Sequence, residues 1–266
     1  MQRKLIAILL IVLLKAETIK INLVSTNDIH GMISSQEANF MNPQYPPTIL
    51  GGSAFSKYID QLKTDIENNT EGLILLDGGN FFQGNPLGLY DNGKTMIEWM
   101  NRIDYDAIVP GAYDFISTAQ NLNNLASGSS FPFLFANLEC NNCPLNSSNI
   151  KPYIIKEVEG VKVGIIGIVN SQLSELVLSE NLSGSSATPE VKAIQKWVPE
   201  IKSFGAEVII ILTSSGVPWN REEEYNKFLE EISLNNIDEN SSLNAIQMSH
   251  YLNDVDFIVA GGNSKG

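Results

Sequence analysis

Asp28 and His30 are the two side chains of this chain whose types and spacing are best suited to chemistry. They lie in the segment TNDIHG, residues 26–31, directly after an apolar run at residues 19–25. Alternate residues at a strand end point to the same side, so this carboxylate and imidazole could reach one metal ion. An Asp hydrogen-bonded to a His is also a common satisfied polar cluster, and the spacing alone leaves both interpretations open.

Four more apolar runs end in the same way, at a short polar or glycine-rich loop. The runs cover residues 72–76, 106–110, 208–212 and 255–260, and the loops that follow begin at Asp77, Gly111, Thr213 and Gly261. In α/β proteins, ligands bind outside the carboxyl ends of the strands. We therefore expect the five loops to meet at one place, which would be the functional site.

The segments between these runs predict helices and a hairpin. Apolar residues at spacings of three and four predict a helix over residues 52–68, and two apolar runs around Glu159-Gly160 predict a hairpin of residues 153–158 and 161–169. Thr188 is a candidate N-cap and Pro189 a candidate first residue of a helix that ends before Gly205. A further strand is predicted at residues 131–137, and further helices at residues 95–100, 220–233 and 243–252. This alternation indicates an α/β fold.

The composition suits one globular domain with a sizeable core, or at most two domains. The chain has 266 residues, of which 43% are apolar and 18% are charged, and its formal net charge is −13. Phosphate backbones are bound by clustered Lys and Arg, so this charge argues against nucleic acid and against anionic membrane surfaces. A small nucleotide remains possible, because a metal ion can supply positive charge locally.

The N-terminus has the pattern of a secretory signal peptide. Arg3 and Lys4 precede an apolar run at residues 5–14, and Ala16 ends a suitable cleavage site. The run is short for a membrane span, and the sequence has no second apolar stretch of sufficient length. We expect residues 1–16 to be removed and the mature protein to be extracellular or in the secretory pathway, or periplasmic if the source is bacterial. An uncleaved membrane anchor is the alternative.

Two further features fit an oxidising compartment. N-glycosylation patterns begin at Asn68, Asn146, Asn181 and Asn240. All four lie in stretches expected to be loops, although such triplets also arise by chance in an Asn- and Ser-rich chain. The two cysteines, Cys140 and Cys143, are too few for a four-ligand zinc site. We expect a structural disulfide; a redox dithiol fits less well, because it usually lies at the start of a helix.

The order of the loops resembles the 5'-nucleotidase family of calcineurin-like metallophosphoesterases. TNDIHG is followed by LLDGGN at residues 75–80, GAYDF at 111–115, LTSSG at 212–216 and a last loop within residues 256–265. The resemblance covers about residues 18–266. It implies an α/β fold, an αββα sandwich of two mixed sheets with flanking helices. It further implies that residues 17–266 form the metallophosphoesterase-like domain and that the family's C-terminal nucleotide-binding domain is absent.

The resemblance also implies a site for two divalent metals, such as Zn or Mn, at which most family residues are replaced. Asp28 and His30 match two of the ligands. The bridging Asp and the four other ligands correspond to Asn80, Ala112, Ser214, Asn263 and Lys265. The catalytic His and its partner Asp correspond to Tyr113 and Ile116. A neutral amide cannot neutralise two cations as a bridging carboxylate does, and neither replacement supplies the imidazole–carboxylate pair.

Three hypotheses follow for the function. The first is a secreted, catalytically inactive 5'-nucleotidase-like domain that acts as a binding or interaction module for a protein or small-molecule partner. Such a domain would hold no metal or one weakly bound divalent ion. The alternative is a metal-dependent phosphohydrolase of nucleotides or other phosphate esters, with a reduced site formed by Asp28, His30 and Asp77. The third is a truncated product without a stable fold, because the strands that should cover the core are missing.

Overall fold

The computed structural model describes residues 18–69 and 71–262, which form two packed β-sheets with helices on their outer sides. The predicted signal peptide, residues 1–16, and the positions Asn263 and Lys265 lie outside the described residues. Among the helices that the structure describes, none has both the length and the apolar character needed to cross a membrane.

The described residues contain thirteen strands, nine α-helices and one 3-10 turn. The strands are β1 (Ile21–Thr26), β2 (Gln36–Glu37), β3 (Thr48–Ile49), β4 (Gly72–Asp77), β5 (Ala107–Ile108), β6 (Phe133–Leu134), β7 (Leu138–Cys140), β8 (Ile150–Lys151), β9 (Tyr153–Val158), β10 (Val161–Ile168), β11 (Ser185–Ala187), β12 (Val208–Thr213) and β13 (Phe257–Ala260). The helices are α1 (Gly52–Asn69), α2 (Pro86–Leu89), α3 (Lys94–Ile103), α4 (Ala119–Gly128), α5 (Leu173–Leu176), α6 (Ser179–Leu182), α7 (Glu190–Ser203), α8 (Arg221–Ser233) and α9 (Ala245–Ser249), and the 3-10 turn covers Ala112–Phe115.

Strand direction brings the predicted loops to shared edges. The first sheet has the order β1-β4-β5-β6-β8, and each of its described pairings is parallel. The second sheet has the order β13-β12-β10-β9, in which β9 runs antiparallel to β10. The pairs β2–β3 and β7–β11 form two small antiparallel ribbons. Since β1, β4 and β5 are parallel, as are β12 and β13, the loops after them leave their sheets at one edge.

The core lies between the two sheets and continues under the outer helices. Leu76 of the first sheet and Leu212 of the second belong to one buried cluster, which also contains Ile59 of α1. A second buried cluster includes Ile211 of β12 and Val198 of α7. Apolar residues on successive positions of a strand bury both of its faces, as a sheet covered on both sides requires. The layers therefore form the αββα sandwich that the sequence predicts.

The predicted hairpin is present with the predicted turn. β9 and β10 pair antiparallel, with Val161 opposite Val158. Glu159 and Gly160 form the turn, and their φ angles are 49° and 81°. Positive φ at both central residues is what a tight two-residue hairpin needs, which explains why the chain turns here.

Strand and helix lengths differ from the prediction where polar groups compete for the backbone. The runs predicted at residues 106–110 and 131–137 pair only over Ala107–Ile108 and Phe133–Leu134. The last predicted helix, residues 243–252, shortens to Ala245–Ser249. Asn244 sets its start, because its side-chain oxygen accepts the N–H groups of the first helical turn.

The start predicted for α7 is wrong by one residue. The helix begins at Glu190, because Pro189 is extended, with φ −51° and ψ 135°. The Thr188 hydroxyl donates to the carbonyl oxygen of Asn137 at 3.2 Å and does not cap the helix. A bond to a neighbouring segment thus replaces the local N-cap.

The two cysteines and the four glycosylation candidates lie in different kinds of local structure. Cys140 and Cys143 are joined by a disulfide at the end of β7. Asn146 and Asn240 are exposed in loops. The expectation that all four glycosylation candidates lie in loops is wrong for Asn68, in the last turn of α1, and for Asn181, in α6. Asn68 is exposed, whereas Asn181 Nδ2 donates to the carbonyl oxygen of Ile116 at 2.9 Å, a contact that the triplet pattern does not reveal.

Candidate ligand-binding site

The five predicted loops meet around one cavity between the edges of the two sheets. Its volume is about 350 Å³. The lining residues are Asp28, His30, Asn80, Ala112, Tyr113, Ile116, Asn170, Gln172, Leu176, Ser214 and Gly262. They follow β1, β4, β5, β10, β12 and β13, so strands of both sheets position the site.

Backbone hydrogen bonds hold the first two loops against each other. The N–H groups of Asp28 and His30 donate to the carbonyl oxygens of Gly79 and Asn80, both at 2.9 Å. The φ angles of Asp28, His30 and Asn80 are 52°, 51° and 57°. Asp, Asn and His adopt this left-handed region more readily than other residues with a side chain. The backbone conformation therefore fixes the positions from which the side chains of Asp28, His30 and Asn80 extend.

Both oxygens of the Asp28 carboxylate already accept hydrogen bonds from the protein. Oδ1 accepts from Asn80 Nδ2 at 2.7 Å, while Oδ2 accepts from Asn27 Nδ2 at 2.7 Å and from the Gly262 N–H at 3.1 Å. At its other end, Asn80 Oδ1 accepts the N–H of Tyr113 at 3.1 Å. A backbone N–H only donates and an ionised carboxylate only accepts, so these two partners fix the orientation of the Asn80 amide.

His30 presents one ring nitrogen to the cavity. Its Nδ1 lies 2.6 Å from the carbonyl oxygen of Gln83, which can only accept, so Nδ1 carries a proton. Its Nε2 lies 3.9 Å from Asp28 Oδ1. The ring also meets the ring of Tyr113 edge to face, with centroids 5.4 Å apart. These contacts set both the tautomer and the tilt of the imidazole.

Several known proteins with similar sequences or folds carry the names of nucleotidases or phosphoesterases. No protein-family model matches the chain. The chain is 27% identical over 211 residues to a 5'-nucleotidase of Vibrio cholerae, covering 79% of this chain and 36% of that protein. It is 25% identical over 235 residues to a 2',3'-cyclic-nucleotide 2'-phosphodiesterase/3'-nucleotidase of Salmonella typhimurium, covering 80% of this chain and 34% of that protein. The calcineurin-like phosphoesterase YfkN from Bacillus subtilis shares the fold, with a TM-score of 0.63 at 23% identity over 91% of this chain and 71% of that one.

The chain is thus similar in sequence to 5'-nucleotidases and shares its fold with a calcineurin-like phosphoesterase. It spans about a third of the length of the curated relatives that it matches. The likeness to solved structures shows the fold, and the cavity lies at the sheet edge where such a fold places its loops.

The residues of this metallophosphoesterase-like cavity do not fit a two-metal centre. Among the residues that the structure describes, no three His, Cys, Asp or Glu side chains are grouped so that they could hold a metal ion. Asn80 turns its NH₂ group toward Asp28 and so presents a donor where a cation needs an acceptor. Ala112 has no polar side-chain atom, and Ser214 Oγ accepts the N–H of Asn170 at 3.3 Å. Of the predicted ligand positions that the structure describes, Asp28 and His30 are the two whose side chains could hold a single ion.

The two positions that the resemblance predicts for the family's catalytic His and Asp lie at the cavity and carry different side chains. Tyr113 and Ile116 both line it, and their side chains are 53% and 44% exposed. Ile116 is a hydrocarbon and cannot take or give a proton. The pair therefore contributes a partly apolar wall and no imidazole–carboxylate couple.

Asp77, the third residue of the reduced metal site, lies beneath the cavity lining. It is fully buried, and its oxygens accept from Thr26 Oγ1 at 2.6 Å and from the Gly79 N–H at 2.9 Å. Burial raises the pKa of the Asp77 carboxyl to about 8. Because both oxygens face the protein interior, Asp77 does not join Asp28 and His30 at the cavity.

Asp114 is a residue that positions the site loops and that sequence reasoning missed. It is fully buried, and its carboxylate accepts the N–H groups of Asn80 at 2.7 Å, Phe81 at 3.0 Å and Gly111 at 2.9 Å. It thereby ties the second loop to the third. Burial raises the pKa of Asp114 to about 7, against the lowering effect of these N–H donors. The available signal was a carboxylate three residues after Gly111, in the third loop.

The loop after β10 also lines the site and was not predicted to do so. Asn170, Gln172 and Leu176 contribute to the cavity wall. The Gln172 N–H donates to Asn170 Oδ1 at 2.8 Å, which makes a tight turn after the strand. The signal was present, since the run at residues 161–169 also ends at a polar loop, but we interpreted that run only as half of a hairpin.

Proposed function

We propose that this domain is a catalytically inactive 5'-nucleotidase-like module that binds a ligand in its cavity and does not hydrolyse phosphate esters. The hydrogen bond from Asn80 Nδ2 to Asp28 Oδ1, at 2.7 Å, carries this proposal. It satisfies the carboxylate with a neutral protein donor. Asp28 therefore needs no cation to be stable in the folded protein.

The chemistry of phosphate-ester hydrolysis explains why these replacements matter. Such hydrolysis needs a nucleophilic water and positive charge around the transferring group and the leaving oxygen. In this cavity, Asn80 and Ile116 are neutral and Asp28 is negative. The described lining residues thus include no Lys or Arg that could supply positive charge, and Tyr113 and Ile116 form no imidazole–carboxylate pair for proton transfer.

A sensitive phosphatase assay tests the proposal directly. Wild-type protein and His30→Ala are incubated with nucleoside monophosphates, 2',3'-cyclic nucleotides and a generic aryl phosphate, with Mn²⁺ or Zn²⁺ added. We expect both proteins to give the same background rate. Robust wild-type turnover that His30→Ala abolishes would instead support the metal-dependent phosphohydrolase.

Metal content gives an independent check. Two protein ligands leave most of the coordination of a divalent ion to water, so binding should be weak. We expect elemental analysis of the purified, dialysed protein to find well under one Mn or Zn per chain. Two tightly held ions per chain would contradict the proposal. Soluble expression with cooperative urea unfolding separately tests the hypothesis of a product without a stable fold.

We place the mature domain in the extracellular space or the secretory pathway. The Cys140–Cys143 disulfide and the exposed sites Asn146 and Asn240 support an oxidising route. Mass spectrometry of protein expressed in its own secretory pathway should show a chain that begins near Glu17, bridged and glycosylated. An intact N-terminus on membrane-bound protein would favour the anchor. The net charge of −13 favours a small-molecule or protein partner over nucleic acid.

A further inference from the structure

The cavity is poorly equipped to hold an anion. Among its described lining residues there is no Lys or Arg, and Asp28 is the carboxylate present. Two backbone N–H groups at its edge, those of Tyr113 and Gly262, are already donated to Asn80 and Asp28. Phosphate and carboxylate ligands are normally held by cationic side chains, metal ions or free N–H groups. The described lining thus has no cationic side chain, and these two backbone N–H groups are already engaged.

The same cavity presents two hydrogen-bond acceptors side by side. A carboxylate has about four acceptor positions, and the three protein donors on Asp28 leave one of them open. Because His30 Nδ1 faces the Gln83 carbonyl, the neutral ring has its lone pair on Nε2. The atoms Asp28 Oδ1 and His30 Nε2 lie 3.9 Å apart. An ammonium group, which has three N–H donors and a positive charge, can bond both at once.

The rest of the wall suits an apolar body. Tyr113, Ile116 and Leu176 line the cavity and are 53%, 44% and 57% exposed. Large apolar side chains that stay half open to water gain free energy when a ligand covers them. An aromatic face such as that of Tyr113 also attracts cations. The volume of about 350 Å³ is sufficient for a small molecule.

We infer that the cavity binds a small organic ammonium with an apolar body. Its N–H groups bond Asp28 Oδ1 and His30 Nε2, and its body packs against Tyr113, Ile116 and Leu176. This inference rests on the proposed function, because it requires a cavity that binds without hydrolysing. The cavity therefore prefers a cationic ligand, whereas a phosphate site prefers an anion.

Three probes that share a 2-phenylethyl body and differ in the charge of the head group test the inference. Binding of 2-phenylethylammonium, 2-phenylethanol and 3-phenylpropanoate is measured by calorimetry at pH 8 in the presence of EDTA, with inorganic phosphate as a fourth probe. We expect the ammonium to bind about tenfold or more tightly than the alcohol, which corresponds to one charge-assisted contact. The carboxylate and phosphate should show no binding. Equal affinity for the ammonium, the alcohol and the carboxylate would overturn the inference. Binding of the carboxylate or of phosphate would also overturn it.

Two variants and a control locate the binding. Asp28→Asn should reduce ammonium affinity about tenfold or more, and Ile116→Ser should reduce it less, through lost apolar contact. Asp65→Asn, an exposed change on α1 with the same change in net charge, should have no effect. Far-UV circular dichroism and urea unfolding check that each variant is folded. Unchanged affinity in folded Ile116→Ser and Asp28→Asn would overturn the assignment of the site.

The experiments can contradict the inference and the proposed function separately. Hydrolysis of a phosphate ester would contradict the inactive module, whatever the probes do. Absence of both hydrolysis and ammonium binding would contradict the inference alone. If an anion binds, repeating the measurement with Lys265→Ala will show whether that residue, outside the described part of the chain, supplies the charge. Anion binding overturns the inference in either case.

Discussion

Two sets of side chains on the same loops have different surroundings. Asp77 and Asp114 are fully buried and accept hydrogen bonds from the backbone or from a neighbouring hydroxyl. Asn80, Tyr113 and Ile116 line the cavity and include no carboxylate. The inner set retains ionisable groups although burial opposes their charge, whereas the cavity set is neutral. The buried carboxylates thus hold the loops in place, whatever side chains line the cavity.

The largest effect should come from the inner set. Asp114→Ala removes the acceptor of three backbone N–H groups, those of Asn80, Phe81 and Gly111. Each would be left buried without a partner. We expect the free energy of unfolding to fall by about 3–4 kcal/mol, measured by urea denaturation.

Ile116→Ala is the matched control, because Ile116 follows the same 3-10 turn but is partly exposed at the cavity. It should cost about 1 kcal/mol or less. If Ile116→Ala destabilised the protein as much as Asp114→Ala, the distinction between the inner set and the cavity set would fail.

The second effect should come from restoring the carboxylate at the centre of the site. Asn80→Asp brings a negative group to within about 2.7 Å of Asp28 Oδ1 and removes the donor that satisfies it. We expect a loss of about 2–3 kcal/mol in the absence of metal, because like charges repel in a buried site. Added Mn²⁺ or Zn²⁺ should recover part of this loss, measured as a rise in melting temperature.

Asn80→Ala is the control that separates the effect of the added negative charge from the effect of losing the hydrogen bonds of the amide. It removes the amide and adds no carboxylate, so its melting temperature should not respond to the metals. A wild-type protein that gains as much from metal as Asn80→Asp would show that the amide does not replace a cation at this position.

The sequence predicted the framework of the site better than its contacts. Strand ends, the hairpin turn at Glu159-Gly160 and the meeting of the loops follow from patterns of neighbouring residues. The orientation of the Asn80 amide depends on the Tyr113 N–H, which is 33 positions away in the chain. Asp114 likewise acts on the backbone of a different loop. Such roles depend on the packing of two loops and not on either loop's own sequence, so spacing could not reveal them.

A third effect should appear as a pH dependence of stability. The pKa of Asp77 is raised to about 8 in the folded protein, mainly by burial, against an ordinary value of about 3.9 in the unfolded chain. Between these values the folded state holds a proton that the unfolded state has lost. The contribution of Asp77 to the free energy of unfolding should therefore be largest below about pH 4. It should fall as pH rises toward 8, by up to about 1.4 kcal/mol per pH unit for one proton.

Asp77→Asn provides the control for that slope. The amide keeps the shape and cannot titrate, so the decline in stability between about pH 5 and 8 should be shallower than in the wild type. Asp114, whose pKa is also raised, would account for the slope that remains. Identical slopes in Asp77→Asn and wild type would mean that Asp77 does not carry the proton.

The smallest effect should come from a single reversion in the cavity set. Tyr113→His restores an imidazole at an exposed position whose ring contact is an edge-to-face one with His30. A substitution at such a site usually changes stability by about 0.5 kcal/mol or less.

Tyr113→His should also give no phosphatase activity with Mn²⁺ or Zn²⁺. The Asn80 amide is still hydrogen-bonded to Asp28, and Ile116 still cannot orient the new ring. Groups that act as a unit contribute non-additively, so activity requires Asn80→Asp, Ala112→Asn, Ile116→Asp, Ser214→His and Asn263→His in addition. Turnover by Tyr113→His alone would show that the acid position was the single missing part, and that the neutral cavity set is much closer to a catalytic site than its contacts indicate.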